Sequence, residues 1–493
     1  MAPVQAPHAH STCVVTRVIA SVERDRTTAP GFRLLYIGLG AIVLVYFVRF
    51  VGPGLSGGLN ADDPMNIHSF WVRGPGQLVK NLVLFFSTYG RPMGGVYFSL
   101  LYHFFGLNPF PYHVALTVLL AFNTWLAYLV GRLITGSKLG GGLVSLAVAY
   151  HAGMYQLVYL PAFVYDVLCF TFYFCALTYY LSIRGRCLRL TKKQIVVFLL
   201  FYVGGLDSKE MAVTLPVVVL LYEAIWHAPA RKATALPGLA AGLLTLVYVL
   251  GKTFGADSLV RMEAYRPVFS WGRYWESTTR FVNTIFYQPI EGGFFTPGRV
   301  MWLAVILLYV AWRWQQRGLM LMWCFVWIAP LPITFIPGRG GACLYIPLVG
   351  WAVIVASGCL WIAKVAARSP LLRWMPYRAA LGALALLGIV LFWANTERHG
   401  DVPEGIRKPA QLTWSVAEQI RAVQPTVKPG SRIYVVRGPF RDWDMKFIME
   451  LVYHDRSVNV WLGEKAPLPP AEIDRMDYVF TFEAGKLKRL KGS

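Results

Sequence analysis

The chain has 493 residues, 56% of them hydrophobic, with a mean hydropathy of +0.49 and a formal net charge of +22. Apolar runs of about 20 residues, enough to cross about 30 Å of hydrocarbon as a helix, recur from Phe32 to Trp393 and exclude a water-soluble globule. The basic residues sit in short connections between these runs rather than on one soluble face, which excludes a nucleic-acid-binding protein.

A tail over residues 1–31 carries Arg17, Arg24 and Arg26 and lacks a small-residue cleavage site, so the first apolar run reads as a retained anchor behind a cytoplasmic tail. Placing the later basic clusters on the same side predicts spans near 32–50, 111–133, 139–157, 162–183, 194–207, 210–226, 235–254, 299–314, 318–336, 343–365 and 379–396. That is eleven crossings, with the amino terminus inside and the carboxy terminus outside. The segment from Pro92 to Leu107 is too short to cross and is expected along the outer interface. Gly238 and Gly242 form a GxxxG that argues helix packing.

Beyond residue 397 the composition turns to a mixed-charge soluble pattern, predicting helix 410–423, strand 432–437, helix 443–454, and strands 457–462 and 477–482. The expected fold is therefore an all-α polytopic membrane domain over 32–396 with interfacial helices, followed by a small extracytoplasmic α/β domain over 397–493 with a partly parallel sheet. No glycine fingerprint for a nucleotide accompanies that domain.

Between Thr27 and Thr396 the carboxylates are Asp62, Asp63, Asp166, Asp207, Glu210, Glu223, Asp257, Glu263, Glu276 and Glu291, and the topology puts all but Glu223 outside. Ionisable groups beside apolar spans are functional candidates by default. Outer loop 51–110 supplies Asp62, Asp63 and Arg91, and the next short loop supplies Asp166. The turn after 207 supplies Asp207, Lys209 and Glu210. Outer loop 255–298 adds Arg261, Arg266, Arg273 and Arg280, and the last outer turn adds Arg339. Carboxylates and cations converging on one face suit a reaction that needs a general base and a stabilised leaving phosphate.

Each candidate also has a plain reading. Asp63-Pro64 is a good helix start, Asp166 is a polar residue near a helix start, Arg91 and Lys209 are placed to snorkel, and Arg339 sits in a glycine turn. Asp62 is not explained by a cap. Of the cysteines, Cys169, Cys175, Cys324 and Cys359 lie within spans without a metal spacing. His68, His103 and His151 show no ligand spacing either. No metal or other cofactor is expected, and a divalent cation finds no support.

The acidic pair, Tyr89-Gly90-Arg91-Pro92, Asn108-Pro109-Phe110-Pro111-Tyr112-His113, Asp207-Ser208-Lys209-Glu210, and Arg339 followed by Leu344-Tyr345-Ile346-Pro347 resemble, in collinear order, the GT-C glycosyltransferases. Within these they are most similar to the branch with protein O-mannosyltransferases and tetratricopeptide-bearing O-mannosyltransferases. The resemblance implies a membrane enzyme that takes a monosaccharide from a polyprenyl phosphate and transfers it, with inversion, to a hydroxyl of a protein, lipid or glycan at the outer face of a bacterial inner membrane.

It makes Asp62 or Asp63 the base and gives Asp166 a part in orienting the acceptor or a metal. Arg91, Lys209 and Arg339 become phosphate ligands, with Asp207, Glu210 and Tyr345 in support. The chain departs from the pattern in having Gly90 between Tyr89 and Arg91, and no tetratricopeptide array follows. Two other readings stand beside it: a flippase or transporter for a lipid-linked sugar, and a lipid-linked polymer ligase or polymerase. Against a transporter, no inverted repeat or pair of broken spans is evident.

Overall fold

A computed structural model describes residues 30–60, 62–86, 90–186, 188–227, 232–254, 258, 263–368, 376–399, 402–440 and 443–492. The tail over 1–29, Tyr89, Asp257 and Arg261 lie outside the described residues.

Among the described residues, fourteen helices of twelve residues or more come first in chain order: α1 (Pro30–Val51), α2 (Asp62–Val83), α3 (Pro92–Phe105), α4 (Pro109–Thr135), α5 (Lys138–Ala149), α6 (Val164–Arg184), α7 (Lys192–Ser208), α8 (Leu215–His227), α9 (Lys232–Phe254), α10 (Trp271–Ile285), α11 (Pro297–Arg313), α12 (Arg317–Ile328), α13 (Tyr345–Arg368) and α14 (Pro376–His399). Among the described residues, seven helical segments are long and apolar enough to cross a membrane.

Each of the eleven expected spans falls on a helix, but five of these helices are shorter than the hydrocarbon. The 12 residues of α5 and of α12 rise about 18 Å, the 13 of α8 about 20 Å, and the 17 of α7 and of α11 about 26 Å. The span expected over 139–157 is thus a short helix followed by broken turns. Tyr150 turns extended at φ −156°, and Pro161 starts a separate turn before α6. Irregular backbone at this depth is tolerated where protein covers it, and Tyr150, Leu157, Val158 and Tyr159 are all buried.

Local chemistry sets the boundaries. The Asn108 side chain accepts from the Phe110 N–H at 3.1 Å, with Pro109 at the first helical position of α4, and left-handed Gly136 ends that helix. Thr191 and Gln194 close a capping box at the start of α7. Gly238 of the GxxxG packs against α8, where an added Cβ would stand 2.8 Å from Leu220, whereas Gly242 faces open space.

Glu223, the acid set apart from the others in sequence, is buried in α8. Arg184 of α6 donates to it through Nε at 2.7 Å and Nη2 at 2.8 Å, and the Tyr180 hydroxyl adds a third bond at 2.7 Å. This bidentate pair ties the ends of two helices together, and breaking one side would strand a buried charge.

The carboxy-terminal part has α15 (Val402–Val423), β1 (Arg432–Val435), α16 (Asp444–Tyr453), β2 (Asn459–Leu462), β3 (Tyr478–Glu483) and β4 (Lys486–Gly492). The sheet order is β2-β1-β3-β4; β1 pairs parallel with β2 and β3, and β4 runs antiparallel to β3. Strand β4 was not expected, because Lys-Leu-Lys-Arg-Leu-Lys-Gly lacks β-branched residues. Its charges suit an exposed sheet edge.

This α/β unit sits on the loop and helices that follow α1. Tyr102 of α3 donates to the Leu451 carbonyl at 2.7 Å, His68 of α2 meets Glu450 at 2.5 Å, and Arg456 covers the Trp71 ring at 5.4 Å. The Asn60 amide reaches the Ile406 carbonyl at 3.4 Å.

Candidate active site

The site begins where α7 stops. Lys209 is extended (φ −162°, ψ 152°), so the chain breaks helix for one residue before the turn at Glu210. That break turns the lysine inward, where Nζ lies 2.6 Å from Asp166 Oδ1, in the first turn of α6, and 3.2 Å from Cys343 Sγ. Both members of the pair are buried, at 5% exposure each. Burial works against the Lys209 ammonium, but the Asp166 carboxylate outweighs it and raises the lysine pKa.

Glu210 points the other way, to Arg91. One guanidinium nitrogen donates to both of its carboxylate oxygens, at 3.0 and 3.2 Å, and the pair is about one fifth exposed. Arg91 precedes α3 and lies over the Tyr165 ring at 5.4 Å. Tyr165 approaches this closely because Gly94 has no side chain: a Cβ there would stand 2.0 Å from the ring. The Tyr165 hydroxyl donates to Asn66 Oδ1 at 2.7 Å, and Asn66 in turn donates to the Asp62 carbonyl at 2.8 Å. Two ion pairs, Lys209–Asp166 and Arg91–Glu210, are thus set side by side by neighbouring residues 209 and 210, and from Arg91 a polar line runs through Tyr165 and Asn66 to the Asp62 backbone carbonyl.

The two aspartates differ sharply. Asp62 is exposed on the first turn of α2. Asp63 is fully buried and reaches back to accept the Asn60 N–H at 2.7 Å, the reciprocal bond of a capping box rather than the forward cap expected from Asp63-Pro64. Among the described residues its other oxygen, Oδ1, has no hydrogen-bond partner. Burial pushes the Asp63 carboxyl from 3.8 up to about 8; the Asn60 and Ala162 amides oppose that rise and the Asp62 charge adds to it.

The remaining expected residues fall at different distances from these groups. Arg339 stacks on Tyr265 at 4.3 Å in a turn where Gly338 and Gly341 take positive φ. Asp207 is buried and faces away toward Lys252 of α9, which donates to the Gly90 carbonyl at 3.1 Å. Tyr345 is core, stacked on Phe170 at 4.1 Å. Arg273 pairs with Glu276 at 3.1 Å on α10.

Within the Asn108–His113 motif, Tyr112 ties back to the end of α3 and His113 reaches the loop before Asp62. Tyr112 donates to the Gly106 carbonyl at 2.8 Å, and His113 Nε2 lies 3.3 Å from the Gly58 carbonyl. His151 stacks on Tyr287 at 4.2 Å. Among the described residues, no group of three or more His, Cys, Asp or Glu side chains could hold a metal ion.

Sequence reasoning missed Asn60, Asn66, Tyr165, Tyr265 and Cys343. Tyr165 adjoins Asp166, but its contacts with α2 and α3 depend on Gly94, whose role is visible only in three dimensions.

No protein-family model matches the sequence, and no curated protein matches it. Among solved structures, the chain is similar to ArnT from Cupriavidus metallidurans, crystallised bound to undecaprenyl phosphate. The TM-score is 0.50 at 15% identity, over 88% of this chain and 86% of ArnT. A likeness at that identity is one of fold, and it meets the expectation drawn from the GT-C resemblance: this is a polytopic helical membrane protein carrying a small carboxy-terminal α/β unit.

Proposed function

We propose that the chain is a membrane glycosyltransferase that moves a monosaccharide from a polyprenyl-phosphate donor to a hydroxyl acceptor at the extracytoplasmic face, inverting the anomeric centre. The observation that carries this reading is the gathering, at one end of an ArnT-like fold, of the adjacent Lys209–Asp166 and Arg91–Glu210 pairs with the polar line from Arg91 to the Asp62 backbone. Undecaprenyl phosphate in ArnT is the precedent for the donor's chemical class.

Asp62 is the general base, since it is the exposed member of the pair. It takes the acceptor proton; the freed oxygen attacks the anomeric carbon from the side opposite the phosphate, and the departing bond's electron pair leaves with that phosphate. Arg91, only one of whose guanidinium nitrogens is engaged by Glu210, takes up the developing charge together with Arg339. Lys209 is already neutralised by Asp166, so its part is to fix α6 against the turn at Glu210 rather than to clamp the phosphate alone. The α/β unit lies over the loop before Asp62 and α2, where it would cover the active face and help choose the acceptor.

The test is turnover by purified protein in nanodiscs, with radiolabelled polyprenyl-phosphate hexose and a mixture of cell-envelope acceptors. Label moving to an acceptor with release of polyprenyl phosphate supports the enzyme. Donor carried between leaflets intact, with no label transferred, would make the chain a carrier.

A further inference from the structure

A groove of about 420 Å³ opens between α1, α4 and α5, far from the candidate active site. Its volume falls within the range of about 300–1,000 Å³ typical of ligand sites. Tyr36, Gly40, Phe47, Trp125, Tyr128 and Gly142 are among its walls, and the chief polar wall atom, the Ser145 hydroxyl, is already used by the Thr124 carbonyl at 3.0 Å. In a membrane helix bundle such a cleft meets lipid chains, and Trp125 and Leu44 stay more than half exposed beside it.

One end of the groove is cationic. Lys138 Nζ stands 5.1 Å over the Tyr36 ring, and at Gly141, beside Gly142, an added Cβ would stand 2.6 Å from the Tyr128 carbonyl and 3.1 Å from Arg132 Cβ. Arg132 is exposed and lies one helical turn beyond Tyr128 on α4. This end faces away from the candidate active site. His113, which contacts the loop before Asp62, precedes Arg132 by about 28 Å along the same helix. No acid lies between Asp63 and Asp166 to neutralise these two cations from α2 to α5.

We propose that this groove holds one acyl chain of an anionic glycerophospholipid from the leaflet opposite the active site, with the lipid phosphate on Arg132 and Lys138. The apolar walls take the chain, and the two cations select a negative headgroup over a zwitterionic one. The site is separate from the donor's, because its charged end is on the other membrane face.

Native mass spectrometry of the full chain, titrated with phosphatidylglycerol and with phosphatidylcholine of the same acyl chains, tests this. Wild type is expected to retain phosphatidylglycerol preferentially, and Arg132→Gln and Lys138→Gln each to weaken that binding about fivefold. Gly40→Phe, at a position where an added Cβ meets nothing within 4 Å, is expected to weaken both lipids by filling the groove. Leu44→Phe, at another exposed wall position, serves the same purpose if Gly40→Phe misfolds. Equal retention of the two lipids by wild type, retention unaltered in all variants, or displacement of phosphatidylglycerol by polyprenyl phosphate would each overturn the proposal.

Discussion

Replacing Asp63 by asparagine should stabilise the protein as pH rises while sparing catalysis. The buried carboxyl titrates at about 8 against an ordinary value of 3.8. Between those values the folded chain holds a proton that the unfolded chain has lost, so the stability tied to the protonated form is full below 3.8 and declines as pH rises toward 8. The limiting slope is about 1.4 kcal/mol per pH unit, which puts the wild-type loss between pH 6 and pH 8 at roughly 2–3 kcal/mol. Asparagine is neutral, nearly isosteric and keeps an oxygen to accept the Asn60 N–H, so its contribution is flat across that window. Thermal unfolding in nanodiscs, followed by tryptophan fluorescence at pH 6, 7 and 8, should show the Asp63→Asn advantage widening with pH. Parallel loss in the two proteins would refute the buried-proton reasoning. So would transfer falling 100-fold in Asp63→Asn with unaltered melting, which would make Asp63 the base.

Three further outcomes follow from the geometry. Lys209→Met strands the Asp166 carboxylate and should cost about 3–5 kcal/mol, and adding Asp166→Asn should restore melting without restoring transfer. Arg91→Gln should raise the donor Kd and lower kcat by about tenfold or more, read by donor titration and initial rates, because it removes charge that a leaving phosphate would meet. His68→Ala removes the contact with Glu450 and should make the α/β unit more susceptible to limited proteolysis, while the proteolytic pattern of the helical part stays as in wild type.

Much of the architecture was legible because apolar length and charge placement are one-dimensional signals. The eleven expected spans fall on helices. Legibility failed where tertiary packing decides. The span expected over 139–157 breaks after Ala149, where buried irregular turns are covered by neighbouring helices. Strand β4 has no strand pattern of its own and forms by pairing with β3.

At the site, sequence could nominate Asp62, Asp63, Asp166, Arg91 and Lys209 by scarcity and order. It could not pair them. That Lys209 belongs to Asp166 and Arg91 to Glu210 depends on a single extended residue between two helices, and that Asp63 is inside while Asp62 is outside depends on the back-turned bond to Asn60.

The most direct measurement is single-turnover transfer from labelled polyprenyl-phosphate hexose by Asp62→Asn, with the donor Kd determined on the same preparation. The account predicts a rate at least about 100-fold below wild type, as expected for loss of a general base, with the donor Kd unchanged. Wild-type rates in Asp62→Asn, with the donor bound equally well, would contradict it.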